Sequence, residues 1–530
     1  MTLATAHTVA LQGALGHLID VQADVSPGTP GTTLVGRPDA SLNEARDRCR
    51  MAVSNSGAEW PSTRRVTILL SPSDLVKRGT HYDLAIALAV LAAVAEIPQR
   101  SLEGTLVIGE LTLAGGLRCV PGVLPMVMAA SRRGFSRVIV PEPQAREASM
   151  VPQMSVLGMR SLAQVRAELR GEVVPTADPV APMSGSPLVE WRGSHRLQEH
   201  DLADLKGVAD VKFALEVAAA GGHHLMLSGP KGSGKTSLAE RLPGLLPDLS
   251  VEEALELTAL HSLAGALEES DDLIVRPPFF APHHDASKAS LIGGGSGRVR
   301  PGEISRSHCG VLFLDEFPLF RGDVIDALRQ PLENGEVTIA RGEESATFPA
   351  RGMVVTACNP CPCGDFSTNL PGSRCTCSAI QRQRYNRKVT GPIHDRIDIL
   401  RHVLPPTKQE PTSLPGEAPE SSAQVRERVT VARDRQHARY AACDWRLNSQ
   451  VPSAMLAREW PLPDASAARL EGEVLEGRLS RRGAVRVHRV AWTVADLGGR
   501  PAPTVDDVDT AFRLRQGEPL MQASVVRRAS

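Results

Sequence analysis

A phosphate-binding motif constrains this chain more than any other feature. Residues 229–236 read GPKGSGKT, which satisfies the pattern G-x-x-x-x-G-K-[ST]. The apolar stretch His224–Ser228 precedes the motif, and the segment Ser237–Leu242 that follows has a helical pattern. Because strand, loop and helix occur here in the order that a P-loop requires, we expect an α/β nucleotide-binding core.

The motif assigns a role to each of its residues. Small glycines let main-chain N–H groups turn toward phosphate oxygens. The Lys235 ammonium would reach the β- and γ-phosphates of ATP, and the Thr236 hydroxyl would ligate Mg²⁺. The residues expected to bind the nucleotide are Gly229, Pro230, Lys231, Gly232, Ser233, Gly234, Lys235 and Thr236.

Two further strands are predicted to end in polar residues of the same site. The apolar run Val311–Leu314 is followed by Asp315 and Glu316, as in a Walker-B strand. Asp315 would hold Mg²⁺ through water, and Glu316 would polarise the attacking water. The alternative is a buried strand that ends in two acids by chance. A strand over residues 352–357 leads to Asn359, whose amide is placed to orient the hydrolytic water.

Composition divides the chain and excludes several classes of protein. At 530 residues and 42% hydrophobic content, about three domains are expected. Segments 173–193 and 405–422 are rich in Pro, Ala, Gly and Ser and are predicted linkers between blocks 1–172, 194–404 and 423–530. The 59 Lys+Arg balance 60 Asp+Glu, which excludes a uniformly basic nucleic-acid coat. The last block is nevertheless rich in Arg, which favours either a phosphate-binding face or an ordinary solvated surface.

The same composition predicts a cytoplasmic protein without membrane spans. The longest apolar run, residues 84–95, is far shorter than the about 20 residues that cross a bilayer. The first residues lack the charged and apolar regions of a secretory signal. Nine cysteines, an odd number, argue against a disulfide framework and for a reducing compartment.

Five of the nine cysteines lie between residues 358 and 377. Cys361 and Cys363 form one C-x-C pair, and Cys375 and Cys377 form another. Four thiolates suit Zn²⁺ in a closed tetrahedral site, although structural zinc sites usually use C-x₂₋₄-C. The alternative is two reduced pairs in a surface loop. Cys358 is expected to be a buried thiol at a strand end.

Longer phrases in block 194–404 resemble the AAA+ ATPases of the magnesium-chelatase type. The phrases are APHHDASKASLIGGG, RPGEISRSHCGVLFLDEF, DALRQPLENGEVTIAR, ACNPCPCG and GPIHDRIDI. The resemblance implies that residues 277–307 form an insertion into the second helix and that residues 337–350 form a hairpin, both facing the pore of a hexamer. It also implies that Arg396 is an arginine finger for a neighbouring subunit's nucleotide. The alternative for Arg396 is a local ion pair with Asp395 or Asp398.

The flanking blocks carry their own resemblances. Residues 479–499, LSRRGAVRVHRVAWTVADLGG, resemble the helical lid of this AAA+ class, and Arg482 and Arg486 are both candidates for its sensor-2 arginine. The first block is predicted to be α/β and resembles the C-terminal domain of Lon-type proteases, of the ribosomal-S5-domain-2-like fold. A protease of that type needs a Ser nucleophile and a Lys base, but His81 and Leu124 fill those positions. We therefore expect a proteolytically dead domain that serves assembly or DNA contact.

A Lon-like domain, a chelatase-type AAA+ core and a helical lid occur in this order in the ComM/YifB family. That resemblance implies a homo-hexameric, ATP- and Mg²⁺-dependent motor that drives branch migration on branched or single-stranded DNA, without sequence specificity, in natural transformation or recombination. Two alternatives stay open: the motor subunit of a magnesium chelatase, and a protein-remodelling or regulatory ATPase. Stimulation of ATP hydrolysis by DNA, by a porphyrin-binding partner or by an unfolded protein would discriminate among the three.

Overall fold

The computed structural model describes residues 3–181, 200–205, 207–268, 271–295, 299–341, 344–366, 375–389, 391, 393–404 and 419–520. Two central sheets and a group of helices follow one another along the chain, which confirms the mixed α/β class. Over the described ranges, no helix combines the length and the apolar character that crossing a bilayer requires.

A seven-stranded sheet organises the N-terminal part, in the order β3-β4-β2-β1-β5-β8-β9. The long strands β1 and β2 pair antiparallel, whereas β5, β8 and β9 are parallel to one another. All eleven residues of helix α2 are buried, as its uninterrupted apolar sequence requires. The elements are β1 (Leu3–Gln12), β2 (Leu15–Ser26), β3 (Gly31–Val35), α1 (Ala40–Asn55), β4 (Arg65–Ser71), α2 (Asp83–Ala93), β5 (Thr105–Val107), β6 (Glu110–Leu111), β7 (Leu117–Arg118), α3 (Val123–Ser131), β8 (Arg137–Pro141), α4 (Ala145–Ser149), β9 (Ser155–Met159) and α5 (Leu162–Arg170).

A parallel five-stranded sheet forms the second part, in the order β11-β14-β17-β10-β18. The strand before the P-loop, β10, therefore lies between β17 and β18. The elements are α6 (Ala209–Gly221), β10 (Leu225–Ser228), α7 (Lys235–Ala239), α8 (Leu242–Leu245), α9 (Val251–Ala264), β11 (Phe279–Phe280), α10 (Lys288–Ile292), β12 (Gly293–Gly294), β13 (Arg300–Pro301), α11 (Glu303–Arg306), β14 (Val311–Leu314), α12 (Gly322–Ala327), α13 (Arg329–Asn334), β15 (Glu336–Arg341), β16 (Glu344–Pro349), β17 (Met353–Cys358), α14 (Ala379–Val389) and β18 (Ile399–His402).

The expected insertion and hairpin are both present, with one correction. Residues 279–280 form β11, which pairs with β14 in the core sheet, so the insertion begins after this strand and not at Pro277. It then comprises α10, the short β12–β13 pair and α11. The hairpin is the antiparallel pair β15–β16, in which Thr338 lies opposite Thr347.

Within residues 419–520, the described part after the second sheet, the chain forms five α-helices: α15 (Ser422–Arg439), α16 (Ser453–Glu459), α17 (Asp464–Leu475), α18 (Arg481–Leu497) and α19 (Val505–Gln516). Apolar residues of α15, α18 and α19 join those of α6, β10 and β14 in one hydrophobic cluster. Burial of this shared surface fixes the helices against the nucleotide-binding sheet.

The first predicted linker is partly fixed to the N-terminal sheet. Val180 is buried, and the carbonyls of Pro175 and Ala177 accept hydrogen bonds from Gln164 and Arg160. Residues 182–193 and 405–418 of the two predicted linkers lie outside the described residues.

Candidate nucleotide-binding site

The P-loop joins β10 to α7, as its sequence context predicts. Gly234 adopts φ +88°, a left-handed conformation that favours glycine, and α7 begins at the next residue. The Lys235 ammonium donates to the carbonyls of Gly229 and Pro230, each at 2.8 Å, and burial lowers its pKa. This arrangement folds the lysine back over its own loop, close to where phosphate oxygens would bind.

Thr236 and the Walker-B strand meet directly. The Thr236 hydroxyl donates to Asp315 Oδ2 at 2.8 Å, although the two residues are 79 positions apart. The other oxygen of Asp315 accepts the main-chain N–H of Glu316 at 2.8 Å. A hydroxyl and a carboxylate at this spacing are hard oxygen ligands of the kind that Mg²⁺ prefers.

Asn359 follows β17 and completes this edge of the sheet. Its Oδ1 accepts a hydrogen bond from Lys235 at 3.1 Å, and its main-chain N–H donates to the Tyr385 hydroxyl at 3.4 Å. The three parallel strands β10, β14 and β17 thus bring the P-loop, the two acids and the amide together. The residues that the sequence predicts for an ATP site therefore lie together, and their roles stay predictions.

The remaining P-loop residues form a tightly packed base. A Cβ on Gly229 would lie 2.2 Å from the carbonyl oxygen of Val403, so no larger residue fits there. By contrast, a Cβ on Gly232 would meet no atom within 4 Å, which leaves that face of the loop open. Ser233 is buried, and Lys231 lies beside Gly364 of the cysteine segment.

Arg396 makes an ion pair that the sequence did not reveal. It is 7% exposed, and its Nη2 lies 2.7 Å from Glu333 Oε1 on α13. The expected alternative partners were Asp395 and Asp398, so the local pairing occurs but with a different acid. Reaching a neighbouring subunit would require Arg396 to exchange this carboxylate for a phosphate.

The two sensor-2 candidates differ sharply in environment. Arg482 is on the first turn of α18, its side chain is 62% exposed, and its Nη1 lies 3.1 Å from Glu333 Oε1. Arg486, one turn later, donates to the fully buried Asp398 at 2.9 Å. The Arg482 side chain is therefore accessible to solvent, whereas Arg486 joins α18 to the segment that precedes β18.

Asp398 is the centre of a buried polar cluster that sequence reasoning missed. It also accepts the main-chain N–H of His224 at 2.8 Å. Burial opposes its ionisation, but the Arg486 guanidinium and the His223 imidazole outweigh this and hold its pKa well below the usual range. Burial also lowers the pKa of His224 to about 4. The DRID phrase contains Asp398, but the sequence suggested this acid only as a partner of Arg396 and not of Arg486.

His284 is a second residue near the site that the motifs did not identify. It follows β11 and lines a cleft together with Thr236, Asp315 and Glu316. Its Nδ1 lies 3.8 Å from Glu316 Oε2, within ion-pair range but beyond a hydrogen bond. The phrase APHHD pointed to the insertion but not to this contact.

The four clustered cysteines come together in space. The sulfurs of Cys361, Cys363, Cys375 and Cys377 all lie within 4.8 Å of one another. The Cys361 and Cys363 sulfurs are 3.2 Å apart, and those of Cys361 and Cys375 are 3.7 Å apart. The main-chain N–H of Asp365 donates to Cys363 and lowers its pKa to about 6. Four convergent sulfurs match the ligand set of a structural zinc site.

The two positions that the resemblance to Lon-type proteases singles out are buried in the N-terminal part. His81 is 5% exposed, and its Nε2 lies 2.9 Å from the carbonyl oxygen of Val9. Leu124 is fully buried in an apolar cluster. Neither side chain offers a nucleophile or a base to a substrate.

Comparison with known families places all three parts of the chain. Residues 201–411 match the model described as magnesium chelatase, subunit ChlI. Residues 21–144 match subunit ChlI of Mg-chelatase, and residues 419–515 match the ChlI C-terminal model.

Full-length relatives decide the family. An uncharacterised protein of Mycobacterium tuberculosis is 45% identical over 97% of this chain and 99% of its own length. The uncharacterised protein YifB of Escherichia coli is 40% identical, and the competence protein ComM of Haemophilus influenzae is 39% identical, each over 94% of both chains. The chain belongs to the ComM/YifB family. Like the magnesium-chelatase-type proteins it resembles, this ComM/YifB protein is an AAA+ ATPase.

A chelatase subunit matches much less of this ComM/YifB protein. The magnesium-chelatase 38 kDa subunit of Rhodobacter capsulatus is 26% identical over 29% of this chain and 48% of its own length. This individual subunit therefore matches part of the chain, whereas the chelatase family models match segments in all three parts.

Proposed function

We propose that this protein is an ATP-driven ring motor that acts on branched or single-stranded DNA. The observation that carries the proposal is the convergence of Lys235, Thr236, Asp315 and Asn359 at one edge of the parallel sheet. Similarity to a competence protein over 94% of both chains supports DNA as the substrate. Branch migration during natural transformation or recombination is the process that this combination favours.

The hydrolytic roles follow from the geometry. Lys235 would exchange its carbonyl and Asn359 partners for the β- and γ-phosphate oxygens of ATP. Thr236 and Asp315 would hold Mg²⁺, which neutralises phosphate charge when bound. Glu316 would accept a proton from the attacking water, and Asn359 would orient that water. The Arg482 guanidinium would contact the γ-phosphate within the same subunit.

Arg396 would complete the site of a neighbouring subunit. A guanidinium is always charged, and its planar fork matches phosphate geometry. In the single chain Glu333 binds this guanidinium, so assembly of a hexamer would transfer Arg396 from a carboxylate to a γ-phosphate. The proposal makes hydrolysis depend on ring formation.

The DNA-binding surface would be formed by the insertion and the hairpin. Val299 of the insertion packs against Ala346 and Phe348 of the hairpin, so the two elements form one surface. Lys288 and Arg300 are exposed in the insertion, and Arg351 is exposed two residues after the hairpin. Arg298, a further basic residue of the insertion, lies outside the described residues. These groups would contact phosphates and not base edges, so sequence preference should be small.

The cysteine cluster would hold a structural Zn²⁺ beside the ATP site. Cys361 lies two residues after Asn359, and Gly364 packs against Lys231 of the P-loop. A metal at the four sulfurs would fix this segment and with it the position of the Asn359 amide. The role is structural, because four protein ligands leave no open coordination position.

ATP hydrolysis with and without DNA tests the proposed function. Purified protein should hydrolyse ATP faster with forked or single-stranded DNA than alone, and Lys235→Ala should abolish hydrolysis. Glu316→Gln should bind ATP but hydrolyse it at least about a hundredfold more slowly. Stimulation by an unfolded protein but not by DNA would replace the proposal with protein remodelling. Stimulation by a porphyrin-binding partner would replace it with a chelatase role.

A further inference from the structure

The tight turn between β1 and β2 touches the hairpin of the ATPase part. The main-chain N–H of Ala14 donates to the carbonyl oxygen of Thr347 at 3.4 Å. The side-chain amide of Gln12 donates to the carbonyl oxygen of Ser345 at 3.2 Å. Both acceptors lie on β16, so the N-terminal sheet binds the main chain of one hairpin strand.

Apolar side chains also pack between the β1–β2 turn and the hairpin. Leu11 and Ala14 from the N-terminal part pack against a cluster drawn from α9, the insertion and the hairpin. The buried members of that cluster are Leu260, Leu263, Val299, Ala346 and Phe348. Because all three ATPase elements share this cluster with the turn, movement of any one of them disturbs the others.

A second contact links the two parts through α9. The Ser262 hydroxyl donates to Glu147 on α4 at 2.5 Å, and Glu147 also accepts the main-chain N–H of Leu124 at 2.9 Å. Leu255 and Ala259 of α9 pack into the apolar cluster around α3. Helix α9, which precedes β11 and the insertion, is therefore fixed on one side to α3 and α4 of the N-terminal part.

We propose that the N-terminal domain is the support that holds the hairpin and the insertion in position for DNA. The inference rests on the proposed function, because it takes those two elements to be the DNA-binding surface. It assigns a role to a domain whose protease positions are filled by His81 and Leu124. The domain acts by positioning the hairpin and takes no part in ATP chemistry.

Two glycines of the N-terminal domain provide a matched test. Gly13 in the turn has φ +61°, and a Cβ there would lie 2.9 Å from the Thr347 carbonyl oxygen. Gly104 has φ +64°, and a Cβ there would meet no atom within 4 Å. Gly13→Ala and Gly104→Ala therefore carry the same left-handed backbone strain, but only Gly13→Ala collides with the hairpin.

Hydrogen exchange measures how firmly the hairpin is held, and ATP hydrolysis measures whether DNA still stimulates the enzyme. In Gly13→Ala, amides of residues 345–348 should exchange about tenfold faster than in the unaltered protein. Hydrolysis without DNA should stay unchanged, and stimulation by DNA should fall. Gly104→Ala should change neither measurement. Gln12→Ala removes one hydrogen bond to the hairpin without straining the backbone. It should raise hairpin exchange and lower DNA stimulation, each by less than Gly13→Ala does.

Three results would overturn the inference. The first is unaltered exchange in the hairpin of Gly13→Ala, and the second is an equal effect of both glycine substitutions. The third is full DNA stimulation despite a loosened hairpin. If the unaltered protein shows no DNA stimulation, the proposed function fails and the support role in DNA binding fails with it. Hairpin exchange would then still show whether the physical contact exists.

Discussion

Arg396 and Glu333 form an ion pair at 2.7 Å, between the segment that precedes β18 and the end of α13. In a single chain Glu333 binds the Arg396 guanidinium, which in the proposed ring would contact a neighbouring subunit's nucleotide. The same carboxylate lies 3.1 Å from Arg482, so one acid restrains two arginines that are both expected to meet phosphate. Glu333 thus holds the two guanidinium groups close to each other in the single chain.

The first prediction is that Arg396 acts on a neighbouring subunit. Arg396→Ala should lower kcat by about a thousandfold while leaving the affinity for a fluorescent ATP analogue nearly unchanged. Mixing it with Lys235→Ala should restore hydrolysis, since the first variant keeps an intact ATP site and the second keeps an intact finger. Arg482→Ala mixed with Lys235→Ala should restore nothing. Absence of rescue in the first mixture would place Arg396 in its own subunit's site or outside catalysis.

The second prediction separates the two lid arginines. Arg486→Ala leaves the buried Asp398 carboxylate without its cation, which should cost about 3 kcal/mol in the free energy of unfolding. Arg482→Ala should leave stability unchanged, because its side chain is largely exposed, but should slow hydrolysis. Urea unfolding followed by tryptophan fluorescence and a steady-state ATPase assay measure the two effects. Reversed results would exchange the two assignments.

The third prediction concerns acid stability. His224 Nδ1 accepts the main-chain N–H of Val354 at 3.1 Å, so the folded state needs the neutral imidazole. Its folded pKa of about 4 lies below the ordinary 6.5, so the unfolded chain binds the proton more readily. This contribution is therefore complete above pH 6.5 and is lost as the pH falls toward 4.

Unfolding midpoints measured across that range test the claim. His224→Asn keeps an oxygen acceptor near the Nδ1 position and cannot be protonated there. The loss of stability between pH 6.5 and 4 should therefore be smaller in this variant. An identical pH dependence in both proteins would mean that the other buried histidines account for the whole effect.

The fourth prediction is one tightly bound zinc per chain. Elemental analysis should find about one equivalent of Zn²⁺, and Cys361→Ser should remove it and lower the rate of ATP hydrolysis. Cys443→Ser, outside the cluster, should keep both metal and activity. A full complement of free thiols without metal, together with normal hydrolysis, would support two reduced pairs instead.

The fifth prediction concerns salt. If about four to six phosphates are neutralised, the logarithm of the DNA association constant should fall with log salt at a slope of roughly −3 to −5. Replacing Lys288 and Arg300 with Ala should weaken binding to all sequences alike and flatten this slope by about one to two. Affinity for ATP should be unaffected, since neither residue belongs to the P-loop. Unaltered DNA binding would exclude the insertion as the contact surface.

The residues proposed for the nucleotide site could be named from the sequence, because each motif is defined by a few consecutive residues; their roles stay predictions. The P-loop, the Walker-B acids and Asn359 could be assigned from strand ends alone, and parallel strand ends meet at one edge of a sheet. β11 was missed because two residues carry no periodicity. The pairs Arg396–Glu333 and Arg486–Asp398 join residues far apart in sequence, and their spacing gives no indication of contact.

In the N-terminal part, too, the sequence predicted some elements and not others. The apolar run over residues 84–95 predicts helix α2. The long hairpin β1–β2 was not anticipated, although β2 alternates apolar and polar residues as a half-buried strand does. The apolar character of residues 104–113 predicts one strand, but the structure divides this segment into β5 and β6, with Gly109 between them. A Cβ on Gly109 would lie 3.1 Å from Leu117, so tertiary packing and not local preference sets that break.

The hydrophobic cluster that unites α15, α18 and α19 with β10 and β14 makes the ATPase core and its lid a single cooperative unit. A fragment that ends before residue 419 would expose one wall of its own interior and should be insoluble or molten. Deleting the C-terminal helices would therefore make the remaining protein misfold, and the resulting loss of activity would not show that these helices regulate it. By the same reasoning, a chimaera of two related proteins should fold only if its nucleotide-binding core and its C-terminal helices come from the same parent protein.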